Sequence, residues 1–387
     1  MIHQILEFLV YKYLDFYSKH KFRNMYKKLQ KNDITDLFNI NNKFLEKLDD
    51  TKLLSYKNVK YLDSSYFKIY TLDPFIKLQK LTIKSYHIND SHLKHLNLEY
   101  LDVKLCERIE NLNHMSNLKT LILYDNYRTT ANLDKLKLES LSLSGSRVQL
   151  GDVSILTKLE FHNCELYASD LKNMTNLEEL KLKNNATIFH INHLTKLKKL
   201  TILYDTLMTN NCITNLTNIE YLKFECFDNI INISHLYKLK QLYATRAKNI
   251  SVDNFTDLET LHVSQVSGVK TIKHLTKLKE LVLTGDCGIK SSELSKTIEY
   301  LDVTDNIIIK DVNHLKRLKV LKACGKCGLN DKGIRYLDLT EINISKNDKI
   351  TNLNYMTSLK NIVAHSCPKF TINSIKKLNL NLIIIQT

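Results

Sequence analysis

The sequence is short of the residues that build irregular loops: 387 residues contain 8 glycines, 2 prolines and no tryptophan. Length alone suggests two or three globular domains, but a globular α/β enzyme of this size draws on more glycine for its ligand loops. A stack of near-identical short turns manages without it. There is no Walker loop, no Gly-x-Gly-x-x-Gly run and no His-Glu-x-x-His pair, so no enzymatic activity, cofactor or metal is expected. No apolar run is long enough to span a membrane. The first apolar stretch, MIHQILEFLVYKYLDF, is broken by Glu7, Lys12 and Asp15 and lacks a small-residue cleavage site, so no secretory leader is expected. The eight cysteines are then expected to be reduced thiols of an intracellular protein whose compartment stays open.

Charge and leucine are abundant instead. Lysine and arginine outnumber acidic residues 56 to 41, a net charge of +15. Asparagine, lysine and isoleucine are plentiful together, a bias that an AT-rich genome also writes, so the charge by itself is a weak argument for nucleic acid. Leucine recurs as Leu-x-x-Leu-x-[apolar], as in LQKLTI, LEYLDV, LKTLIL, LEELKL and LKELVL. With the second leucine as position zero, anchors fall at Leu62, Leu81, Leu101, Leu121, Leu141, Leu159, Leu180, Leu200, Leu222, Leu242, Leu261, Leu281, Leu301, Leu321, Ile342, Ile362 and Ile383. That makes about 17 turns of roughly 20 residues each. Each Leu-x-Leu alternation predicts a short strand with two side chains inward.

This pattern resembles the leucine-rich repeat family. The resemblance implies an α/β repeat solenoid over residues 57–387: a horseshoe with a parallel sheet on the concave face and 3₁₀ turns or short helices on the convex face. The return segments alternate. After Leu101 and Leu301 apolar residues recur every third position (Ile109, Leu112, Met115, Leu118; Ile309, Val312, Leu315, Leu318), which predicts successive tight turns. The intervening segments, INDSHLKHLN and LNDKGIRYLD, place an Asp before a short apolar patch, as an N-cap would stand. The repeating unit is thus a pair of turns of about 40 residues. The first type resembles internalin-like repeats one triplet shorter, and the second the Asp-x-Gly-[Leu/Ile] turns of F-box leucine-rich repeat proteins. The lysine, asparagine and isoleucine-rich style resembles such proteins of giant DNA viruses or AT-rich protists.

Several columns carry chemistry. Position −2 runs Glu99, Lys119, Glu139, Thr157, Glu178, Lys198, Glu220, Lys240, Glu259, Lys279, Glu299, Lys319. With strands about 4.8 Å apart, this predicts a structural charge ladder rather than a basic stripe for nucleic acid. His114, His193, His235, His274 and His314 share position +13, but on alternate turns about 10 Å apart neighbours cannot share a zinc ion. They are expected to bond to nearby backbone. Cys106, Cys164 and Cys367 share position +5 with Asn126, Asn185, Asn306 and Asn347, a turn column expected to satisfy backbone groups. In KACGKCGLND, Cys327 and Gly328 repeat Cys287 and Gly288 two turns earlier, so the Cys324/Cys327 pair reads as a turn cysteine beside an accidental neighbour. The outward positions −1, +1 and +3 form the candidate binding face. Between Leu180 and Leu261 they offer Lys181, Lys183, Thr201, Tyr221, Lys223, Tyr243 and His262, tyrosines among mixed charges that suit a protein ligand.

The ends differ from the repeat. Residues 1–56 have helical apolar spacing (Ile2, Ile5, Leu6, Leu9, Tyr13, Phe16; then Leu37, Phe38, Phe44, Leu45, Leu48) and are expected to form a helical N-terminal cap. ILEFLVYKYLDFYSKHKFRNMYKKL also resembles a degenerate F-box, which would bind a Skp1-type adaptor. Lys19, Lys21, Arg23, Lys27, Lys28 and Lys31 form a basic run. The C-terminal LNLNLIIIQT finishes on a strand, predicting self-association through that edge. The expected function is a non-enzymatic interaction scaffold holding a protein ligand on its concave face, without membrane association. The alternatives are an F-box-like substrate-recognition subunit of a ubiquitin ligase and a nucleic-acid binder using the basic run.

Overall fold

Every anchor of the repeat lies in a short strand, and the alternation around it explains why. In LEYLDV the residues at zero and +2, Leu101 and Val103, turn inward and are fully buried, while their neighbours face the other side of the pleat. A computed structural model describes residues 58–386 together with the strand Asp36–Leu37, apart from 66–68, 107–108, 110, 125–132, 134, 146–153, 165–170, 186–189, 205–208, 226–231, 247–249, 267 and 286. The strand Asp36–Leu37 falls inside the segment expected to be helical, where it pairs in parallel with Tyr61–Leu62. The rest of residues 1–56, with the F-box-like and basic stretches, lies outside the described residues.

The chain forms two units, residues 1–165 and 166–387. The first carries β1 (Asp36–Leu37), β2 (Tyr61–Asp63), β3 (Lys80–Lys84), β4 (Tyr100–Lys104), β5 (Thr120–Tyr124), β6 (Ser140–Ser144) and β7 (Lys158–His162), each paired in parallel with the next. The second carries β8 (Glu179–Lys183), β9 (Lys199–Leu203), β10 (Tyr221–Glu225), β11 (Gln241–Thr245), β12 (Thr260–Ser264), β13 (Glu280–Thr284), β14 (Tyr300–Asp302), β15 (Val320–Lys322), β16 (Glu341–Asn343), β17 (Asn361–His365) and β18 (Leu382–Gln386), likewise parallel. Anchors pair with anchors throughout, as in Leu222 with Leu242 and Leu301 with Leu321. A one-residue slip would carry the buried leucines to the open face.

The return segments complete the core. Ile109, Leu112, Met115 and Leu118 are all fully buried, and two successive tight turns hold them: the Met115 N–H donates to Leu112 O (3.0 Å) and the Leu118 N–H to Met115 O (3.0 Å). Val312, Leu315 and Leu318 repeat that arrangement at 3.0 and 3.1 Å. The period of three therefore reads directly as one apolar residue per 3₁₀-like turn. Short helices occur in the intervening turns: α1 (Asp90–Leu93), α2 (Asp331–Ile334) and the 3₁₀ segments Asn210–Cys212, Ser291–Glu293 and Ile372–Ser374. None of the described helices is long and apolar enough to cross a membrane.

The caps of α1 and α2 are Asn89 and Asn330, not the aspartates that follow them. Asn89 Oδ1 accepts from the Ser91 N–H (3.1 Å), and Asn330 Oδ1 from the Lys332 and Gly333 N–H groups (3.0 and 3.1 Å). A cap must stand on extended backbone so that its oxygen reaches back to the first turn, and the asparagines do (φ −140° and −138°). One residue later the chain is already helical, and the aspartates bond elsewhere. Asp90 accepts the Asn111 N–H (3.0 Å), and Asp331 the Thr351 N–H and hydroxyl (2.8 and 2.7 Å), so each ties its turn to the next.

In every described turn but that of Leu81, where Ser85 stands, the residue four after the anchor is left-handed. Leu105, Asn163, Asn184, Tyr204, Arg246, Gln265, Asp305, Lys346 and Ser366 have φ between 50° and 60°, and Gly145, Gly285 and Gly325 hold the same position. This bend lets the +4 N–H continue the ladder while the chain leaves the sheet. Arg246 donates to Ser264 O (2.9 Å), Gly285 to Thr304 O (3.0 Å) and Lys346 to His365 O (2.8 Å). At the C-terminal strand β18, Leu382, Ile383 and Ile384 are exposed at 47%, 46% and 38%, whereas the preceding anchor Ile362 is fully buried.

Candidate recognition face

The outward side chains of the second unit form rows whose order the strand register fixes. Lys181 stands opposite Thr201, Thr201 opposite Lys223, Lys223 opposite Tyr243, and Tyr243 opposite His262. Tyr221 lies in the adjoining row between Lys199 and Gln241, and Lys183 is at +3 opposite Leu203. All seven candidates thus share one face, half-buried, over a floor that includes the buried Leu222, Phe224, Leu242 and Ala244.

Three of the seven touch through their rings. Tyr221 and Tyr243 have centroids 5.2 Å apart at 37°, and His262 meets the edge of Tyr243 at 4.5 Å and 72°. Both arrangements lie in the favourable range for aromatic pairs. His262 Nε2 is 2.7 Å from Glu280 Oε1, which fixes the imidazole against the next strand. The diagonal thus runs Tyr221, Tyr243, His262, Glu280 across four strands. Burial raises the pKa of the Tyr221 hydroxyl, opposed by its hydrogen bond with Thr201. Burial also raises that of Tyr243, reinforced by Tyr221 and by the Glu280 charge. Both are neutral phenols at physiological pH, able to donate as well as accept. Two strands beyond Glu280, the Lys322 ammonium sits 5.5 Å from the ring centroid of Tyr300, which stands opposite Glu280.

Glu280 is the member that sequence reading missed. It lies at position −1 while its partner lies at +1 of the preceding strand, so reading down single columns cannot pair them. The first unit holds a comparable group, also unforeseen. Tyr124 meets His162 edge-on at 5.8 Å and 84°, and His162 Nε2 is 2.8 Å from Glu160 Oε1. On β4 of the same unit, Asp102 has a side chain only 9% exposed, with one oxygen 3.2 Å from Lys104 Nζ and the other without a hydrogen-bond partner. Burial raises its carboxyl pKa, against the opposing pull of Lys104.

The charge ladder at −2 is interrupted. Lys198 pairs with Glu178 (2.9 Å), Lys240 with Glu220 (2.8 Å) and, in the first unit, Lys119 with Glu139 (3.3 Å). Among the described residues Glu259, Lys279 and Glu299 form no ion pair, and Lys319 turns to Asp338 instead (3.6 Å). The backbone explains why the pairs are dispensable. The −2 N–H donates to the −2 carbonyl of the preceding turn at Lys240 to Glu220, Lys279 to Glu259 and Lys319 to Glu299, at 2.8–2.9 Å, so register is set before the side chains meet. A second ladder at −4 went unread: Lys196 bonds Asn176 (2.6 Å), Lys238 bonds Asn218 (2.6 Å) and Lys277 pairs with Asp257 (2.5 Å). The same column reading, two positions earlier, would have found it.

The other columns are structural. The imidazole Nε2 atoms of His114, His193, His235 and His274 lie 2.9–3.1 Å from backbone carbonyls of Leu93, Leu171, Ile213 and Val252. His314 is the exception: its buried Nε2 has no partner, and burial lowers its pKa. Cys367 Sγ donates to Ile344 O (3.1 Å), and the Asn347 amide to Ala323 O (2.8 Å), the role expected of position +5. Cys327 and Cys287 are fully buried, whereas Cys324 is half-buried on the outward side. Burial pushes the Cys327 thiol up to about 11 and raises Cys324 too, so neither is a thiolate at neutral pH.

No family model and no curated protein matches this sequence. Solved structures do. A leucine-rich repeat protein of Leptospira interrogans superposes with a TM-score of 0.52 over 91% of this chain and 96% of its own, at 18% identity. The fold is a leucine-rich repeat solenoid. The functional domain of InlJ from Listeria monocytogenes is also similar, at 18% identity over 87% of this chain and 69% of that one, with a TM-score of 0.47. An internalin, InlF, of the same organism aligns at 19% identity over 86% of this chain and 87% of its own, with a TM-score of 0.41. In leucine-rich repeat terms, the Tyr221 to Glu280 diagonal lies on the open face of the repeat sheet.

Proposed function

We propose that this leucine-rich repeat protein is a non-enzymatic scaffold that binds a protein ligand on the open face of its second unit. One observation carries the reading: Tyr221, Tyr243 and His262 are in ring contact there, and Glu280 holds the last of them in place. Tyrosines already ordered by neighbours lose little conformational freedom on binding, and each keeps a hydroxyl to bond with. Lysines 181, 183 and 223 and Thr201 surround the rings as a polar rim.

The test is capture from cells of the source organism with the full chain as bait. A protein retained by the wild type is expected to be lost with Tyr221→Ala and Tyr243→Ala. It should survive Tyr237→Ala, which removes an equally large tyrosine, 56% exposed, from a turn outside the sheet. Retention unaffected by either face substitution would refute the reading.

A further inference from the structure

The open face of the second unit is electrically polar along its length. On β8 to β10 the outward positions hold four lysines (Lys181, Lys183, Lys199, Lys223) against Glu179 and Glu225. On β11 and β12 no carboxylate, lysine or arginine occupies an outward position; Tyr243 and His262 stand there instead, in contact with Tyr221 at the edge of β10. On β13 to β16 the sign reverses, with Glu280, Asp302 and Glu341 against Lys322. An acidic end on a chain of net charge +15 does not follow from composition.

The two ends act separately. From β9 to β14 is five strand spacings, about 24 Å, while charges in 0.15 M salt are screened over about 8 Å. A ligand lying across the strands therefore meets a basic region, an aromatic region and an acidic region in turn. An extended peptide rising about 3.3 Å per residue bridges the two ends with about seven residues.

We propose that the occupant of this face is an extended peptide segment of a protein ligand, acidic at one end, aromatic or aliphatic in the middle and basic at the other. Its acidic end lies over Lys199 and Lys223, its middle on Tyr221 and Tyr243, and its basic end over Glu280, Asp302 and Glu341. The proposal rests on the scaffold reading above and adds the chemistry of the partner.

Three synthetic peptides test it by fluorescence anisotropy on the full chain. They share an aromatic spacer of about seven residues and carry acidic and basic ends, two acidic ends, or two basic ends. The mixed peptide is expected to bind roughly fivefold to tenfold tighter than either other at 0.15 M salt, from a few exposed ion pairs made rather than opposed. Lys199→Glu combined with Lys223→Glu should shift the preference to the peptide with two basic ends. Asp302→Lys combined with Glu341→Lys should shift it to the one with two acidic ends. These side chains face solvent, and an unchanged unfolding midpoint confirms that each variant folds. Equal affinities, no binding by the mixed peptide, or an order unmoved by the variants overturns the proposal. So does tighter binding of a single-stranded oligonucleotide that needs the same lysines. The scaffold reading falls separately, if Tyr221→Ala or Tyr243→Ala leaves partner capture intact.

Discussion

Replacing Gln265 and Lys346 with glycine should stabilise the protein. Both are exposed residues in the left-handed bend after the strand, with φ of 55° and 60°. An L-residue there carries about 1–2 kcal/mol of steric cost that glycine does not. Glycine returns about 0.5–1 kcal/mol through its greater freedom in the unfolded chain. The net gain is about 0.5–1 kcal/mol per site. The two bends are four strand spacings apart, roughly 19 Å, which is far enough for their effects to add. The double variant is thus expected to gain about 1–2 kcal/mol, read as a higher urea midpoint at unchanged slope by far-ultraviolet circular dichroism. Gly285→Ala is the reverse experiment. It forces a side chain into φ 70° with its nearest neighbour at an unstrained 3.6 Å, and should cost about 1 kcal/mol. A lower or unmoved midpoint in the Gln265→Gly, Lys346→Gly protein would refute the account of the bend.

Other consequences can be measured on the same scale. At Gly328 the constraint is space: an added Cβ would lie 2.6 Å from Ile309 O and 2.7 Å from Ile307 O. Because those are backbone atoms, Gly328→Ala should cost about 1–3 kcal/mol, more than Gly285→Ala, in urea unfolding. His235→Ala strips the Ile213 carbonyl of its 2.9 Å partner and should cost about 1–2 kcal/mol, whereas His314→Ala loses no such bond and should cost less. His314 also sets a pH dependence. Its folded pKa is depressed by burial, so below the ordinary value of about 6.5 the unfolded chain binds more protons and stability falls with pH. His314→Gln should flatten that slope, and a slope unchanged in the variant would count against it. Cys324 and Cys327 should resist iodoacetamide at pH 8 in the folded protein and react once urea exposes them, followed by mass spectrometry.

The leucine anchors, the period of three and the histidine column were legible because each repeats a residue type at a fixed interval. The left-handed bend was not: nine of its described positions carry Leu, Asn, Tyr, Arg, Gln, Asp, Lys or Ser, so no glycine column marks it. The turn is imposed by the ladder hydrogen bonds on whatever residue stands there. The helix caps were misread by one position because Asn89 and Asp90, or Asn330 and Asp331, are both good capping residues, and only backbone conformation chooses between them. At the site, Tyr221, Tyr243 and His262 could be placed on one face from strand periodicity. Glu280 could not, because its contact runs diagonally between unlike columns.

The alternation of buried and half-buried residues along strands such as β10 separates two kinds of sequence change. Exchanging Tyr221 or Lys223 rewrites what the face can read, and exchanging Leu222 or Phe224 threatens whether there is a face at all. Because anchors pair with anchors, adding or removing a two-turn block of about 40 residues would lengthen or shorten the surface without moving any other letter. Such a molecule is a ruler with replaceable markings, and its lineage can change partners by editing the markings while the scale stays fixed.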